Sequence, residues 1–305
     1  MKTDLFGAVS PDPSTVAIGA FDGLHLGHQH IIRSTVNEAK ANGWTSCAIL
    51  FDPLPAQFFG RIAPDERILL HEEQERMLRQ LGIDRTIVLP FTQEIADLTP
   101  EEFLSAMQEA LHCRKIFMGE DFSLGKDRSG TPEYLARLGS SFGFTVNVIP
   151  KDVMDGDVIS STRIRSMLHS GLIEEANRLL GYSFYFSGEI IHGKARGRKL
   201  GFPTLNVKIP DGKIKLPNGV YAVNVLIEGE QFASVTNIGV RPTFEPENRN
   251  IITESYLLNA SGDFYGDSVR LEFMKMLREE IRFSSADALR EQISRDIETA
   301  KKILL

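Results

Sequence analysis

The stretch GAFDGLHLGHQHII, Gly19 to Ile32, sets three glycines, Asp22 and three histidines between an apolar run and a helical pattern. Glycines let backbone approach a ligand closely, and a helix starting near His28 presents unpaired N–H groups that favour phosphate. His25 and His28 are three residues apart, so both side chains can face one phosphate group. A purely structural loop and a zinc site are the competing readings. Zinc needs a third or fourth ligand, and the neighbourhood offers only Asp22 and His30 without a cysteine. Glycines on both sides of a strand-to-helix turn favour phosphate. A second stretch, ISSTRIR (Ile159–Arg165), lies at a predicted helix start. Ser160, Ser161 and Thr162 alone could do no more than cap that helix. With Arg163 and Arg165 following at once, hydroxyls, free N–H groups and guanidinium meet in one place, and anion capture is the better reading.

Elements that could hold these residues are legible in two rhythms. From Thr15 to about Gly181 short apolar strands (Thr15–Ile18, Thr45–Phe51, Thr86–Pro90, Lys115–Met118, Phe144–Ile149) alternate with helical patterns. One helix runs from about His28 to Ala41 and stops at Asn42-Gly43; another lies around Arg67–Leu81. Thr99-Pro100-Glu101-Glu102 reads as a capping box, and Thr131-Pro132 opens a further helix. This alternation predicts a doubly wound α/β domain with a parallel sheet, whose ligands bind beyond the carboxyl ends of the strands. After Gly181 six strand candidates follow one another: YFSGEIIHG, LGFPTLNVKI, GVYAVNVLIEG, QFASVTNIG, ESYLL and SVRLEFM. Only Ser285 to about Leu304 is clearly helical there. The second half therefore reads as a small antiparallel barrel with a terminal helix, and the domains as residues 1–181 and 182–305.

Composition narrows the function classes. The chain has 305 residues, enough for two domains, and 42% apolar and 25% charged residues, as expected of a globular protein. A net charge of −7 with a pI near 5.6 argues against general attraction to nucleic acid or an anionic membrane, so any anion is held by local geometry. Cys47 and Cys113 are the only cysteines; both lie in apolar segments and read as buried free thiols of a reducing compartment. The start has no apolar core of signal-peptide length and no segment reaches the roughly 18 apolar residues of a membrane span, which predicts a cytoplasmic protein.

GAFDGLHLGH and ISSTRIR together resemble the two signatures of the nucleotidyltransferase superfamily with the H-x-G-H motif. The sequence further resembles one branch, the bacterial bifunctional riboflavin kinase/FAD synthetase (FMN adenylyltransferase) family. MGEDFSLGKDRSG (Met118–Gly130) is similar to that branch's flavin-side segment G-x-D-F-x-F-G, with Leu124 where an aromatic is usual. GKARGRKLGFPTLN (Gly193–Asn206), NIGVRPTF (Asn237–Phe244) and ESYLL (Glu254–Leu258) are similar to the kinase signatures, with Leu205 where the family usually has alanine. The resemblance covers nearly the whole chain, with its motifs in the family's order.

For the first half the resemblance implies that an FMN phosphate oxygen attacks the α-phosphorus of ATP and expels pyrophosphate, giving FAD. That chemistry needs alignment and charge neutralisation and no protein nucleophile. His25 and His28 then serve the phosphates near the attacked centre, and Ser161, Thr162 and Arg165 the phosphates that leave. Gly19, Phe21, Asp22 and Gly27 belong to the same binding set, with the flavin near Asp121 and Phe122. For the second half it implies attack by the riboflavin 5′-hydroxyl on the γ-phosphorus of ATP, with Glu254 as general base. Thr204 and Asn206 then hold Mg2+ with ATP, and the Gly193–Gly201 loop, through Gly193 and Gly197, covers the phosphates. The implied ligands are riboflavin, FMN, FAD and ATP. One alternative keeps only the FAD synthetase active and makes the barrel a flavin-binding or docking module. Transferases for cytidyl or pantetheine substrates do not need the second half. A flavin carrier or RNA-binding barrel calls for exposed aromatics interleaved with basic residues, and the strands show no such run.

Overall fold

The structure, a computed structural model, describes residues 3–7, 12–191, 202–240, 251–258, 264 and 266–305. It divides into two compact units, Met1–Ser161 and Thr162–Leu305. In the first, strands β1 (Ser14–Ile18), β2 (Thr45–Asp52), β3 (Arg85–Pro90), β4 (Cys113–Gly119) and β5 (Thr145–Ile149) form one parallel sheet in the order β3-β2-β1-β4-β5. The order reverses at β1, so the doubly wound reading holds and the switch point lies between β1 and β4. β1 is buried along its whole length, as a central strand covered on both faces must be.

Helices α1 (Leu26–Asn42), α2 (His71–Gln80), α3 (Pro100–Leu111) and α4 (Pro132–Phe142) connect the strands. At α3, Thr99 accepts from the Glu102 N–H while the Glu102 carboxylate accepts from the Thr99 N–H, and Pro100 stands at the first helical position. α1 closes on Gly43 in the left-handed region, φ 67°. A buried cluster packs one face of the sheet, from Val16, Ile18 and Ile49, against Phe103, Met107 and Leu111 of α3. Both cysteines are buried and unpaired by disulfide, and burial raises the Cys47 thiol to about 11. Leu124 packs into this core at the usual aromatic position.

Two details depart from the sequence reading. Residues 67–70 are not helical: Asp22 accepts from the Ile68 and Leu69 N–H groups and Glu73 from that of Leu70, so α2 starts only at His71. After β5 the chain makes a small hairpin, β6 (Val153–Met154) with β7 (Asp157–Val158), before the next helix.

The second unit opens with α5 (Ser161–His169) and α6 (Ile173–Leu180). Strands β8 (Tyr185–Ile191), β9 (Leu205–Lys208), β10 (Gly219–Ile227), β11 (Glu230–Val240), β12 (Ile251–Leu257) and β13 (Ser268–Glu279) close into a barrel ordered β10-β11-β12-β9-β8-β13. Its interior is aromatic at one side, with Phe184, Phe186 and Phe273 in edge-to-face and tilted contact, and Tyr221 edge-on to Phe273. The other side is lined by buried hydroxyls: Ser234, Thr236 and Ser255 are linked by hydrogen bonds, and Thr253 donates to the Val207 carbonyl. Helix α7 (Ala286–Leu304), capped by Ser285, covers Val220, Ala222 and Val235 from outside.

Candidate functional site

The loop Gly19–His25 follows β1 and enters α1 at the carboxyl end of the sheet, at the switch point. His25 is the N-cap: its Nδ1 accepts from the His28 N–H at 3.4 Å. With Nδ1 an acceptor, the ring proton sits on Nε2. The rings of His25 and His28 stack with centroids 3.6 Å apart, and Phe21 meets His28 edge-on at 5.3 Å. Phe21 is buried, so it fixes the His28 ring from the side. A Cβ on Gly19 would stand 3.0 Å from the Phe21 ring, so any larger residue there would push against that ring. Gly27 lies under the His25 ring on one side and the Asp152 carboxylate on the other.

Burial lowers His25 to about 4, opposed by the carboxylates of Asp121 and Asp152. His28 is held well below its ordinary value, by burial first and by His25 second. Among the described residues its buried Nδ1 has no hydrogen-bond partner. The unliganded pair is therefore neutral at pH 7, two stacked imidazoles at a helix N-terminus. An arriving anion favours their charged forms.

Asp22 is buried and its carboxylate accepts from Ile68 N–H at 3.1 Å and Leu69 N–H at 3.5 Å, while its carbonyl accepts from the Ser161 hydroxyl at 2.8 Å. Gln74 donates to the carbonyls of Ala20 and Phe21, and Gln29 to that of Leu24, which holds the loop where Phe21 and Leu24 take positive φ. Neither glutamine carries a sequence signal that reveals this. Asp121, at the end of β4, is exposed and paired with Lys151 at 3.7 Å; Phe122 packs partly against the core. Thr162 and Arg165 follow Ser161 on α5, in the second compact unit.

An aromatic ledge escaped the sequence reading, although PAQFF directly after a strand was a usable signal. Phe58 and Phe59, 36% and 52% exposed, meet each other and Phe91 at 5.2 to 5.8 Å beyond the carboxyl ends of β2 and β3.

On the barrel, strand register brings the predicted residues together. Glu254 stands opposite Asn206 on β9 and opposite Asn237 on β11. Thr253 and Ser255 point inward, so Glu254 and its two neighbours face outward. The Asn206 amide nitrogen donates to the Thr204 carbonyl at 3.5 Å, which turns the amide oxygen the other way. Leu205 lies on the opposite face of β9 from Asn206, opposite Ser255. A hydroxyl and an amide oxygen are hard donors, a set that fits a divalent cation held mainly by ATP and water. Gly193, Gly197 and the rest of the Gly193–Gly201 loop, and Arg241–Phe244 of the NIGVRPTF stretch, lie outside the described residues. A cavity of about 490 Å³, lined by Pro217, Asn218, Met276, Glu279 and Glu280 among others, belongs to this unit.

Residues 8–163 match a family described as FAD synthetase, and residues 180–304 one described as Riboflavin kinase. Proteins named bifunctional riboflavin kinase/FMN adenylyltransferase are similar along nearly the full length. That of Pseudomonas fluorescens is 36% identical over 94% of this chain and 91% of its own. The Bacillus subtilis protein is 36% identical over 94% and 91%, and that of Escherichia coli K12 is 34% identical over the same shares. A crystal structure described as a macrolide-efflux protein from Streptococcus pneumoniae superposes with a TM-score of 0.89 at 30% identity, covering 98% of this chain and 96% of that one. Among the described residues of this chain, no helix is long and apolar enough to cross a membrane.

Because His25 and His28 are lowered on folding, the unfolded chain binds more protons between about pH 6.5 and about pH 4, and stability falls as pH falls through that window. For His25 the full loss is on the order of 3 kcal/mol. His25→Asn keeps an N-cap acceptor. Denaturant unfolding followed by Trp44, the single tryptophan and a member of the first unit, should show the wild type losing stability relative to His25→Asn from pH 7 to pH 5. Parallel curves would refute the assignment.

Proposed function

The chain belongs to the bifunctional riboflavin kinase/FMN adenylyltransferase family, and from that footing we propose which residues perform its two transfers. The protein phosphorylates riboflavin to FMN with ATP and adenylylates FMN with ATP to FAD and pyrophosphate. Both activities belong to families that generally need a divalent metal. We assign residues 1–181 to adenylyl transfer and 182–305 to phosphoryl transfer, with Mg2+ as the ion. The substrates are small molecules, and we assign the chain no nucleic-acid or membrane partner and a place in the cytoplasm.

In adenylyl transfer an FMN phosphate oxygen attacks the α-phosphorus of ATP. The observation that carries the assignment is the stacked histidine pair at the switch point, with a buried ring nitrogen lacking a partner among the described residues. His25 donates from Nε2, and His28 supplies the second donor where charge spreads onto the phosphate oxygens. Gly19 and Gly27 keep the loop backbone close, Phe21 sets the His28 ring, and Asp22 holds the loop. Ser161, Thr162 and Arg165 receive the departing pyrophosphate. Asp121 and Phe122 flank the flavin from the β4 side, and the exposed rings of Phe58 and Phe59 give its ring system a stacking surface.

In phosphoryl transfer Glu254 accepts the proton of the riboflavin 5′-hydroxyl as it attacks the γ-phosphorus. Its pairing with Asn206 across β12 and β9 supports this, because base and metal ligand then face one reacting group. Thr204 and Asn206 hold the Mg2+, and Gly193 and Gly197 cover the phosphates. When bound, the ion neutralises phosphate charge. Glu254 takes the proton and accepts the hydroxyl's hydrogen bond, which orients it.

His28→Ala should cut FAD formation by roughly 10²-fold or more while FMN formation is unchanged. Loss of both would point to a folding role. Glu254→Gln should cut FMN formation by about 10²–10⁴-fold at every magnesium concentration. The effect of Asn206→Asp should vary with magnesium instead. Following FMN and FAD separately over time, with FAD synthesis from supplied FMN as the control, reads all three variants. Near wild-type FMN synthesis by Glu254→Gln would reduce that carboxylate to a strand residue.

A further inference from the structure

Glu254 has a second cross-strand neighbour to which neither transfer has yet assigned a part. Asn237 on β11 stands opposite it, so Asn237, Glu254 and Asn206 form one outward row across β11, β12 and β9. Side chains paired in this way have Cβ atoms about 4.5–5.5 Å apart, within reach of an amide-to-carboxylate hydrogen bond. Two residues along β11, Gly239 leaves a gap on the same face. A Cβ there would stand 3.3 Å from the Asn237 Nδ2 and 3.2 Å from a Glu280 carboxylate oxygen. The Asn237 amide therefore leans into space that only glycine leaves open, and Glu280 borders that space from the far side. An amide nitrogen carries two N–H donors and a carboxylate only acceptors. The amide nitrogen lies beside the gap that Glu280 borders, and Glu254 is its neighbour across the strands, so a small rotation offers a donor to either carboxylate.

We propose that Asn237 is a positioning residue for phosphoryl transfer, its amide holding the Glu254 carboxylate toward the hydroxyl to be deprotonated, with Gly239 and Glu280 fixing the amide. The proposal rests on Glu254 being the base. A carboxylate on a flexible side chain loses rate when its rotamer is left free, even if substrate binding is unaltered. Asn237 touches no reacting atom; it acts through Glu254.

The test is steady-state FMN formation by the full chain. Asn237→Leu keeps the side chain's size and removes the donor; it should lower kcat about 10- to 100-fold, with KM for riboflavin and ATP within about twofold of wild type. Asn237→Ser is smaller but keeps a donor, and should retain more kcat than Asn237→Leu. A packing role predicts the reverse order, so that order overturns the proposal, as does an effect confined to KM. Gly239→Ala, which crowds the amide, should lower kcat in the same way. In a Glu254→Gln background Asn237→Leu should add little, since the group it orients is gone. An inactive Glu254→Gln beside a wild-type kcat for Asn237→Leu refutes the positioning role alone. An active Glu254→Gln refutes the base itself. Circular dichroism and FAD synthesis from supplied FMN confirm that each variant is folded.

Discussion

The first unit turns on the carboxylate and carbonyl of one buried residue. Asp22 accepts the N–H groups that lead into α2 with its side chain and the hydroxyl that opens α5 with its backbone. Two segments distant in sequence, at Ile68–Leu69 and at Ser161, are thereby pinned to the loop that carries the histidines. Without that carboxylate two N–H groups would lose their acceptor, at about 1–3 kcal/mol each where they are buried. The same contact is why residues 68 and 69 are not helical: their donors are spent on a tertiary acceptor before a helix can claim them. What the histidines do chemically depends on this frame, because a stacked neutral pair persists only where the loop is held against thermal spread.

The barrel reaches a comparable precision by different means. Strict alternation along β12 sets which face each residue takes, with Thr253 and Ser255 buried inward and Glu254 turned out between them. The inward hydroxyls satisfy one another and a carbonyl, so the register of β11, β12 and β9 is fixed by polar contacts as well as by the ladder. A one-residue slip would bury Glu254 and expose the hydroxyls.

Much of this was legible in the sequence, for reasons that differ by element. The order of strand and helix, the capping box at Thr99, and the six barrel strands follow from local periodicity and cap chemistry, which sit in contiguous residues. The histidine loop was legible because glycine, acid and imidazole at close spacing have few other uses. The partners were not. Gln74, Asp152 and Glu280 reach their positions only through tertiary packing, and an isolated glutamine or carboxylate in a sequence carries no mark of what it will touch. Gly19 shows the same limit from another side: it reads as a ligand-facing glycine, while the closeness of the Phe21 ring to its position carried no mark in the sequence. Phe58 and Phe59 could have been found, since apolar rings placed just beyond a strand have no core to enter.

The boundary between the compact units falls between Ser161 and Thr162, inside the ISSTRIR stretch and within the first turn of α5. The helices that follow belong with the barrel: the Asn177 side chain donates to the Phe273 carbonyl and accepts from the Phe184 N–H, and Gly171 leaves room for the Met276 sulfur. The second compact unit thus begins some twenty residues before the composition of the chain changes. A gene cut where composition changes, near Gly181, would strip two helices from the barrel and leave their apolar seat on β13 open to water.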